Sequence, residues 1–175
     1  HGGLDPARDL VFKPDLLVDT LELADGDVVA DIGAGTGYFT FHLARAVGPS
    51  GHVIAVDVNA NVLEALQARM NGEGVEAVGA GKNVGRKDIL AFDEPAAEGT
   101  AVDLCPFRNV EIHVNDFDDL MLPNGSLDVA FLCASGLSRY SHLAPTNRRM
   151  MESIYRACRP GGEFVVLERQ PQGRN

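Results

Sequence analysis

The sequence is poor in cysteine, aromatic residues and positive charge. It has no tryptophan, 6% aromatic residues and three cysteines, Cys105, Cys133 and Cys158. An odd number of widely spaced cysteines predicts reduced thiols rather than a disulfide framework, which is typical of a cytoplasmic protein. The 25 acidic residues outnumber the 15 basic ones, giving a formal net charge of -10. This balance argues against nucleic acid or an anionic membrane as the main partner, since both attract basic surfaces.

Long apolar runs are also missing. No stretch approaches the ~20 apolar residues that a membrane-spanning helix needs, and the chain has no low-complexity tract or internal repeat. Its 175 residues, 45% of them hydrophobic, fit one globular domain. We therefore expect a single domain over residues 1–175. The first residue is histidine rather than methionine, so the expected cytoplasmic location rests on composition alone.

Glycine, by contrast, is concentrated in the stretch that organises the chain. Residues 28–32 read Val-Val-Ala-Asp-Ile, which is typical of a strand buried on both faces. Gly33, Gly35 and Gly37 follow at alternate positions, and an apolar helical pattern comes next. A strand, a glycine turn and a helix in succession indicate a nucleotide-binding crevice. Glycine there tolerates positive φ and lets a ligand approach the backbone N–H groups.

The rest of the chain alternates between helical and strand patterns. Helices are predicted at residues 14–21, 36–47, 59–70 and 145–158, and strands at 28–32, 52–57, 110–114, 127–133 and 163–168. Short connections predict right-handed βαβ units and a mainly parallel sheet between two helix layers, a Rossmann-like α/β three-layer sandwich. Residues 71–109 interrupt this rhythm with many glycines. We expect an insertion there, as a lid or an oligomer contact.

Ligands bind such sheets at the carboxyl ends of the strands, next to the strand at which the order reverses. Polar or glycine residues follow four predicted strand ends, at residues 31–37, 57, 115–117 and 133–142. Asp57 can accept hydrogen bonds from both ribose hydroxyls; the alternative is a helix cap, a role that Asn59 also fits. Asp116 can accept from an adenine amino group with Phe117 beside the base. The alternative is that Asp116 belongs to a solvated acidic run.

The glycine pattern separates two ligand classes. In the dinucleotide fingerprint G-x-G-x-x-G, the third glycine permits close packing beside a pyrophosphate. Tyr38 occupies that third position here. Asp31 places a negative charge where a pyrophosphate would be repelled and a cationic amino group attracted. The sequence therefore favours a cationic ligand without pyrophosphate over a nicotinamide cofactor, and disfavours an oxidoreductase.

Five segments together resemble the successive motifs of class I S-adenosylmethionine-dependent methyltransferases: Asp-Ile-Gly-Ala-Gly-Thr-Gly at 31–37, then 56–57, 115–117, 122–129 and 159–162. The resemblance is closest to the methyltransferase type 11 subgroup with ubiquinone/menaquinone-type enzymes, and covers roughly residues 13–70 and 110–168. It implies S-adenosyl-L-methionine as cofactor, with the turn facing its methionine part, Asp57 its ribose and Asp116 its adenine. The expected cofactor-binding residues are Asp31, Gly33, Ala34, Gly35, Gly37, Tyr38, Asp57, Val58, Asn115, Asp116, Phe117 and Cys133.

The chain departs from the family pattern in two places. The 71–109 segment is longer than the family's usual connection, and the family's last two strands have no counterpart after residue 168. Three interpretations stay open: the sheet is only five strands wide, the sequence is a fragment of a longer chain, or another chain or the insertion covers the exposed edge. An uncovered fifth strand favours a homo-oligomer.

The candidates for catalysis follow the fourth main strand. His142 has a side chain suited to a general base, and Tyr140 to positioning an acceptor; a surface histidine and a tyrosine packed over the pocket mouth are the alternatives. Strand alternation directs His113 away from Asp116, so no metal site is expected. The cysteines invite analogy with arsenite methyltransferases, but their positions favour core thiols.

The sequence thus predicts an enzyme that transfers a methyl group from S-adenosylmethionine to a small-molecule acceptor. The alternative is a non-catalytic protein that binds S-adenosylmethionine or S-adenosylhomocysteine in regulation or assembly.

Overall fold

The computed structural model describes residues 12–71, 75–76, 83–84, 107–133 and 145–167. Its helices are α1 (Pro14–Asp19), α2 (Thr40–Ala46), α3 (Ala60–Met70) and α4 (Pro145–Ala157). Its strands are β1 (Val28–Ile32), β2 (His52–Asp57), β3 (Val75–Glu76), β4 (Asn83–Val84), β5 (Val110–Val114), β6 (Leu127–Cys133) and β7 (Cys158–Leu167).

Five of these strands form one parallel sheet in the order β5-β2-β1-β6-β7. The chain moves outward from β1 in one direction through β2 and β5, and in the other through β6 and β7. The order therefore reverses at β1, and the crevice rule places a ligand at its carboxyl end. The short strands β3 and β4 pair antiparallel in a separate two-stranded sheet. The predicted mainly parallel sheet is confirmed.

Helices cover both faces of the sheet because successive strand residues point to opposite sides. On one face Val29, Val53 and Phe131 pack in a cluster with Leu43 of α2 and Leu63 of α3. On the other face the cluster is made by strand and loop residues with Ile154 and Ala157 of α4. The predicted three-layer sandwich is confirmed, and Asp31 lies on the α2–α3 face by strand alternation.

The first crossover helix begins four residues later than predicted. The apolar pattern suggested a start at residue 36, but α2 begins at Thr40. The backbone of Gly37 has φ 88°, which a right-handed helix cannot contain, and its N–H donates to Ala34 O at 2.9 Å. Residues 33–39 therefore belong to the turn, so the turn is longer than its three glycines suggest.

The last strand begins five residues earlier than predicted, at Cys158. Pairing with β6 runs from Leu127↔Cys158 to Cys133↔Leu167. Its register shifts between Leu127 and Val129, so residues 159–162, expected as a turn, lie within the strand as an irregular segment. A Cβ on Gly162 would lie 2.9 Å from the carbonyl oxygen of Asp128. Glycine is needed there because the two backbones approach closely.

Most of the predicted insertion at 71–109 lies outside the described residues. Within it the structure gives only the β3–β4 pair and the approach to β5. No helix among the described residues is both long and apolar enough to cross a bilayer.

Candidate functional site

The turn after β1 is held in an unusual backbone conformation. Gly33, Gly35 and Gly37 have φ values of 74°, 58° and 88°. A side chain is disfavoured in this left-handed region, which is why glycine recurs at alternate positions. A Cβ added to Gly35 would meet no heavy atom within 4 Å, so the turn leaves open space at its centre.

Four backbone N–H groups of the turn donate hydrogen bonds to acceptors within the protein. Gly33 N and Ala34 N donate to Val56 O at 2.7 and 3.0 Å, and Gly37 N donates to Ala34 O. Gly35 N donates to Asp57 Oδ2 at 3.0 Å. Phosphate-binding turns direct such groups at the ligand. These four donate within the protein instead, which disfavours a pyrophosphate; that the turn faces a ligand stays a prediction.

Asp31 is a buried carboxylate beside this turn. Its exposed fraction is 3%, and Thr40 Oγ1 donates to its Oδ2 at 2.7 Å. Burial raises the pKa of Asp31 to about 6; the Thr40 hydrogen bond opposes this shift, and the charge of Asp57 adds to it. Within the described part of the chain no cation pairs with Asp31. A cationic ligand group nearby would stabilise its charged form.

Asp57 ends β2 and faces the turn. Its Oδ2 accepts from Gly35 N, and its Oδ1 accepts from Asn59 N at 2.9 Å. Each carboxylate oxygen has a second lone pair, so Asp57 retains the capacity to accept from two ribose hydroxyls. Asn59 caps α3, because its side chain accepts from Asn61 N at 3.1 Å. The helix-cap role that competed for Asp57 is therefore filled by its neighbour.

The end of β5 is tied to the end of β2. Asn115 N donates to Asp57 O at 3.3 Å, which brings the predicted ribose and adenine positions together. The Asn115 side chain is buried, and its Nδ2 donates to Asp116 O at 2.7 Å. Asp116 and Phe117 follow as exposed residues, with 58% of Phe117 accessible.

The three aspartates of residues 116–119 differ in whether they form ion pairs. Asp118 pairs with Arg149, and Asp119 pairs with Arg156 at 3.0 Å, both on α4. These two carboxylates fasten the loop to the helix. Asp116 is exposed, and no ion pair to it is found among the residues that the structure describes. The run is therefore not a uniform solvated face.

The remaining predicted residues fall in different places. The Tyr38 side chain is buried, with its ring centroid 4.9 Å from Phe39 and 6.3 Å from Phe12, so this ring belongs to the core. Val58 is 50% exposed beside Asp57, and Cys133 is half-buried at the end of β6. Tyr140 and His142 lie outside the described residues.

Cys133 and Cys158 stand at opposite ends of the sheet. Cys158 pairs with Leu127, six residues before Cys133 along β6, which corresponds to roughly 20 Å at the usual rise per strand residue. One arsenic atom cannot bind both thiols. In the described ranges no group of three metal-binding side chains forms a possible metal site.

Sequence reasoning missed Thr40 and Arg69. No sequence signal marks Thr40 as the partner of Asp31, nine residues before it. Arg69 is 4% exposed, and its Nη1 donates to the carbonyl of Thr36 in the turn. The available signal was its position on α3, beside the inward residues Leu66 and Met70.

Comparison with known proteins agrees with this geometry. A model of the family described as "Methyltransferase domain" matches residues 30–166. The chain belongs to this methyltransferase family.

Curated relatives of this methyltransferase-family chain include an arsenite methyltransferase from Halobacterium salinarum, 27% identical over 146 residues. They also include a ubiquinone/menaquinone biosynthesis C-methyltransferase from Pseudomonas paraeruginosa, 30% identical over 152 residues. The matches cover 83% and 85% of this chain. The chain spans only 28% and 45% of the length of these relatives.

Solved structures support the fold. A SAM-dependent methyltransferase from Aquifex aeolicus superposes with a TM-score of 0.68 at 19% identity, covering 98% of this chain and 71% of that one. An arsenic(III) S-adenosylmethionine methyltransferase from Chlamydomonas reinhardtii gives 0.54 at 22% identity, covering 81% and 38%. At these identities the likeness concerns the fold alone.

The family implies S-adenosylmethionine as cofactor, and the residues present fit that group. The open space at Gly35, the acceptor capacity of Asp57 and the buried carboxylate of Asp31 suit a cationic nucleoside ligand. The four turn amides that donate within the protein, at Gly33, Ala34, Gly35 and Gly37, do not suit a pyrophosphate.

Proposed function

We propose that this methyltransferase domain binds S-adenosylmethionine at the β1 turn and transfers its methyl group to a small-molecule acceptor. The observation that carries the proposal is the arrangement of Asp57, whose two oxygens accept from Gly35 N and Asn59 N while keeping free lone pairs. A nucleoside with vicinal hydroxyls and no pyrophosphate matches this acceptor and the satisfied turn.

In this proposal the cofactor supplies a methyl group that is already activated on its sulfonium. The chain's own residues bind and orient. Asp57 accepts from the ribose hydroxyls, Asp116 accepts from the adenine amino group, and Phe117 contacts the base. Gly33, Ala34, Gly35 and Gly37 surround the methionine part, with Val58 and Cys133 lining the crevice. Tyr38 and Asn115, whose side chains are buried in the protein, contribute their backbone. Asp31 contributes negative charge near the amino group.

The binding step is tested by calorimetric titration with S-adenosylmethionine, S-adenosylhomocysteine and NAD. We expect the two sulfur compounds to bind and NAD not to bind. Asp57→Asn keeps one oxygen for Gly35 N and removes the charge and one acceptor. We expect it to weaken S-adenosylhomocysteine binding by about tenfold or more, the usual effect of losing hydrogen bonds to a charged group. Asp19→Ala, which removes an exposed carboxylate on α1, is the control.

Equal affinity of the Asp57→Asn and Asp19→Ala variants for S-adenosylhomocysteine would remove Asp57 from the site. Binding of NAD in place of the sulfur compounds would overturn the whole proposal.

The acceptor class is tested by turnover. Quinol-type aromatic acceptors are the first choice, since the C-methyltransferase relative acts in ubiquinone/menaquinone biosynthesis. Arsenite is the second choice, because another relative is an arsenite methyltransferase, although Cys133 and Cys158 cannot bind it jointly. Nothing in the comparisons favours a non-catalytic role. Tight cofactor binding without turnover on any acceptor would support one.

Two further expectations remain proposals. We propose that residues 1–175 form one domain with an insertion at 71–109, and that copies of the chain associate into a homo-oligomer. Sedimentation equilibrium over a range of protein concentrations measures the association state, and a monomer at all concentrations would contradict the second proposal.

A further inference from the structure

Arg69 is a buried cation beside the glycine turn. It lies on α3 with an exposed fraction of 4%. Its guanidinium carbon stands 4.8 Å from the ring centroid of Phe41. Among the described residues no carboxylate pairs with it, and its Nε is buried without a hydrogen-bond partner. Burial lowers the pKa of Arg69 to about 10. An apolar side chain of similar volume would avoid this desolvation cost.

The hydrogen bond that this guanidinium makes among the described residues reaches the glycine turn. Arg69 Nη1 donates to Thr36 O. On the preceding residue, Gly35 N donates to Asp57 Oδ2. The two adjacent residues of the turn are therefore held by two groups of opposite charge. Asp57 and Arg69 belong to the same segment of chain, one at the end of β2 and the other near the end of α3.

The packing around the turn fits this arrangement. A Cβ on Gly37 would collide with Leu66 on α3 and would lie 3.3 Å from Phe41. The helix thus approaches the turn closely enough for Arg69 to reach the backbone. The buried Thr36 Oγ1 has no hydrogen-bond partner in the part of the chain that the structure describes, so the Thr36 side chain does not hold the turn there. The backbone contact with Arg69 does.

We propose that Arg69 is a positioning residue that fixes the Gly35–Thr36 backbone in its binding conformation. Asp57 holds this backbone from the β2 side and Arg69 holds it from the α3 side. The consequence for ligands rests on the proposed function: Arg69 strengthens binding of the amino-acid end of the cofactor, which faces the turn, more than binding of the nucleoside end.

The first test needs no ligand. Amide hydrogen exchange is measured at Gly35 and Gly37 in the wild-type protein and in Arg69→Met, which keeps an apolar stem without a donor. We expect exchange at these amides to be about tenfold faster in the variant, the effect of losing one charge-assisted hydrogen bond. Arg148→Met, at an arginine on α4 with 81% of its side chain exposed, is the matched control. Equal exchange in the wild type and Arg69→Met would overturn the proposal.

The second test separates positioning from stability. Dissociation constants are measured for S-adenosylhomocysteine and for methylthioadenosine, which lacks the amino-acid group. We expect Arg69→Met to weaken binding of S-adenosylhomocysteine about tenfold and binding of methylthioadenosine less than threefold. Ile154→Val, in the opposite helix layer, tests general destabilisation and should leave the ratio of the two constants unchanged. Equal weakening of both ligands by Arg69→Met would assign Arg69 to stability alone.

The outcomes distinguish the two proposals. Failure of the wild type to bind either nucleoside overturns the proposed function, while hydrogen exchange still decides the role of Arg69. If Arg69→Met does not fold, Arg69→Leu takes its place, since leucine also lacks a hydrogen-bond donor. Faster turn exchange in Arg69→Leu supports the proposal, and wild-type exchange contradicts it.

Discussion

Asp31 carries a charge that the fold does not favour. Its carboxylate is buried and accepts a hydrogen bond from Thr40, and burial raises its pKa from the usual 3.8 to about 6. Between these two pH values the folded state holds a proton that the unfolded state has lost. Stability therefore falls as pH rises through this window, by about 3 kcal/mol in all. We interpret this cost as the stability given up for a negative charge beside a cationic ligand.

Asp31→Asn should remove that pH dependence. The amide oxygen still accepts from Thr40, but the side chain no longer ionises. We expect the variant to exceed the wild type in stability near pH 7.5 by about 1–3 kcal/mol, and the difference to vanish near pH 4. Urea unfolding from pH 4 to 8 measures this. Asp116→Asn, at an exposed carboxylate, is the control. A curve for Asp31→Asn that runs parallel to that of Asp116→Asn would contradict the interpretation.

At the scale of the element, the turn after β1 combines two demands on glycine. Gly35 and Gly37 both have positive φ. A Cβ on Gly35 meets open space, whereas one on Gly37 collides with Leu66 of α3. One glycine thus keeps room at the centre of the turn, and the other lets a helix approach from behind.

Gly35→Ala and Gly37→Ala form a matched pair at this element. Each should lose about 1 kcal/mol of stability from the left-handed backbone. Gly37→Ala should lose roughly 1–3 kcal/mol more from the clash with Leu66. Urea unfolding compares the two variants, and titration with S-adenosylhomocysteine tests whether Gly35→Ala weakens binding despite its smaller stability loss. Equal stability losses would show that Leu66 moves aside without cost.

At the scale of the whole molecule, the sheet separates two apolar layers. Leu63 packs on the α2–α3 face, and Ile154 packs on the α4 face. Ion pairs from Asp118 and Asp119 to α4 join the loop after β5 to the second layer. These pairs are partly exposed, so the apolar layers contribute most of the stability.

The losses in unfolding free energy caused by substitutions in the two layers should therefore be additive. Leu63→Ala should cost about 2–5 kcal/mol and Ile154→Val about 0.5–1.5 kcal/mol. The double variant should equal their sum to within about 0.5 kcal/mol, because the two side chains share no partner across the sheet. Chemical unfolding of the three variants measures this. A larger coupling energy would mean that the sheet transmits packing changes between its faces.

Much of the architecture followed from local pattern. Five apolar runs separated by helical spacing predicted the strands of the parallel sheet, four of them with the bounds that the structure shows. The start of α2 was missed because the apolar spacing typical of a helix already begins within the turn. The positive φ of Gly37, which the sequence pattern does not show, keeps the helix from starting there. The start of β7 was missed because only pairing with β6 draws residues 158–162 into the sheet.

For the site, the sequence by itself determined that carboxylates and glycines lie at the ends of neighbouring parallel strands, because short crossovers dictate the direction of those strands. Tertiary structure decided what each group does. It gave four N–H groups of the turn acceptors within the protein, buried Asp31 against Thr40, divided the acidic run between α4 and solvent, and brought Arg69 to Thr36. Most of these contacts join different helices, strands and loops, and their partners depend on how helices pack on the sheet. Local residue patterns carry no information on that packing.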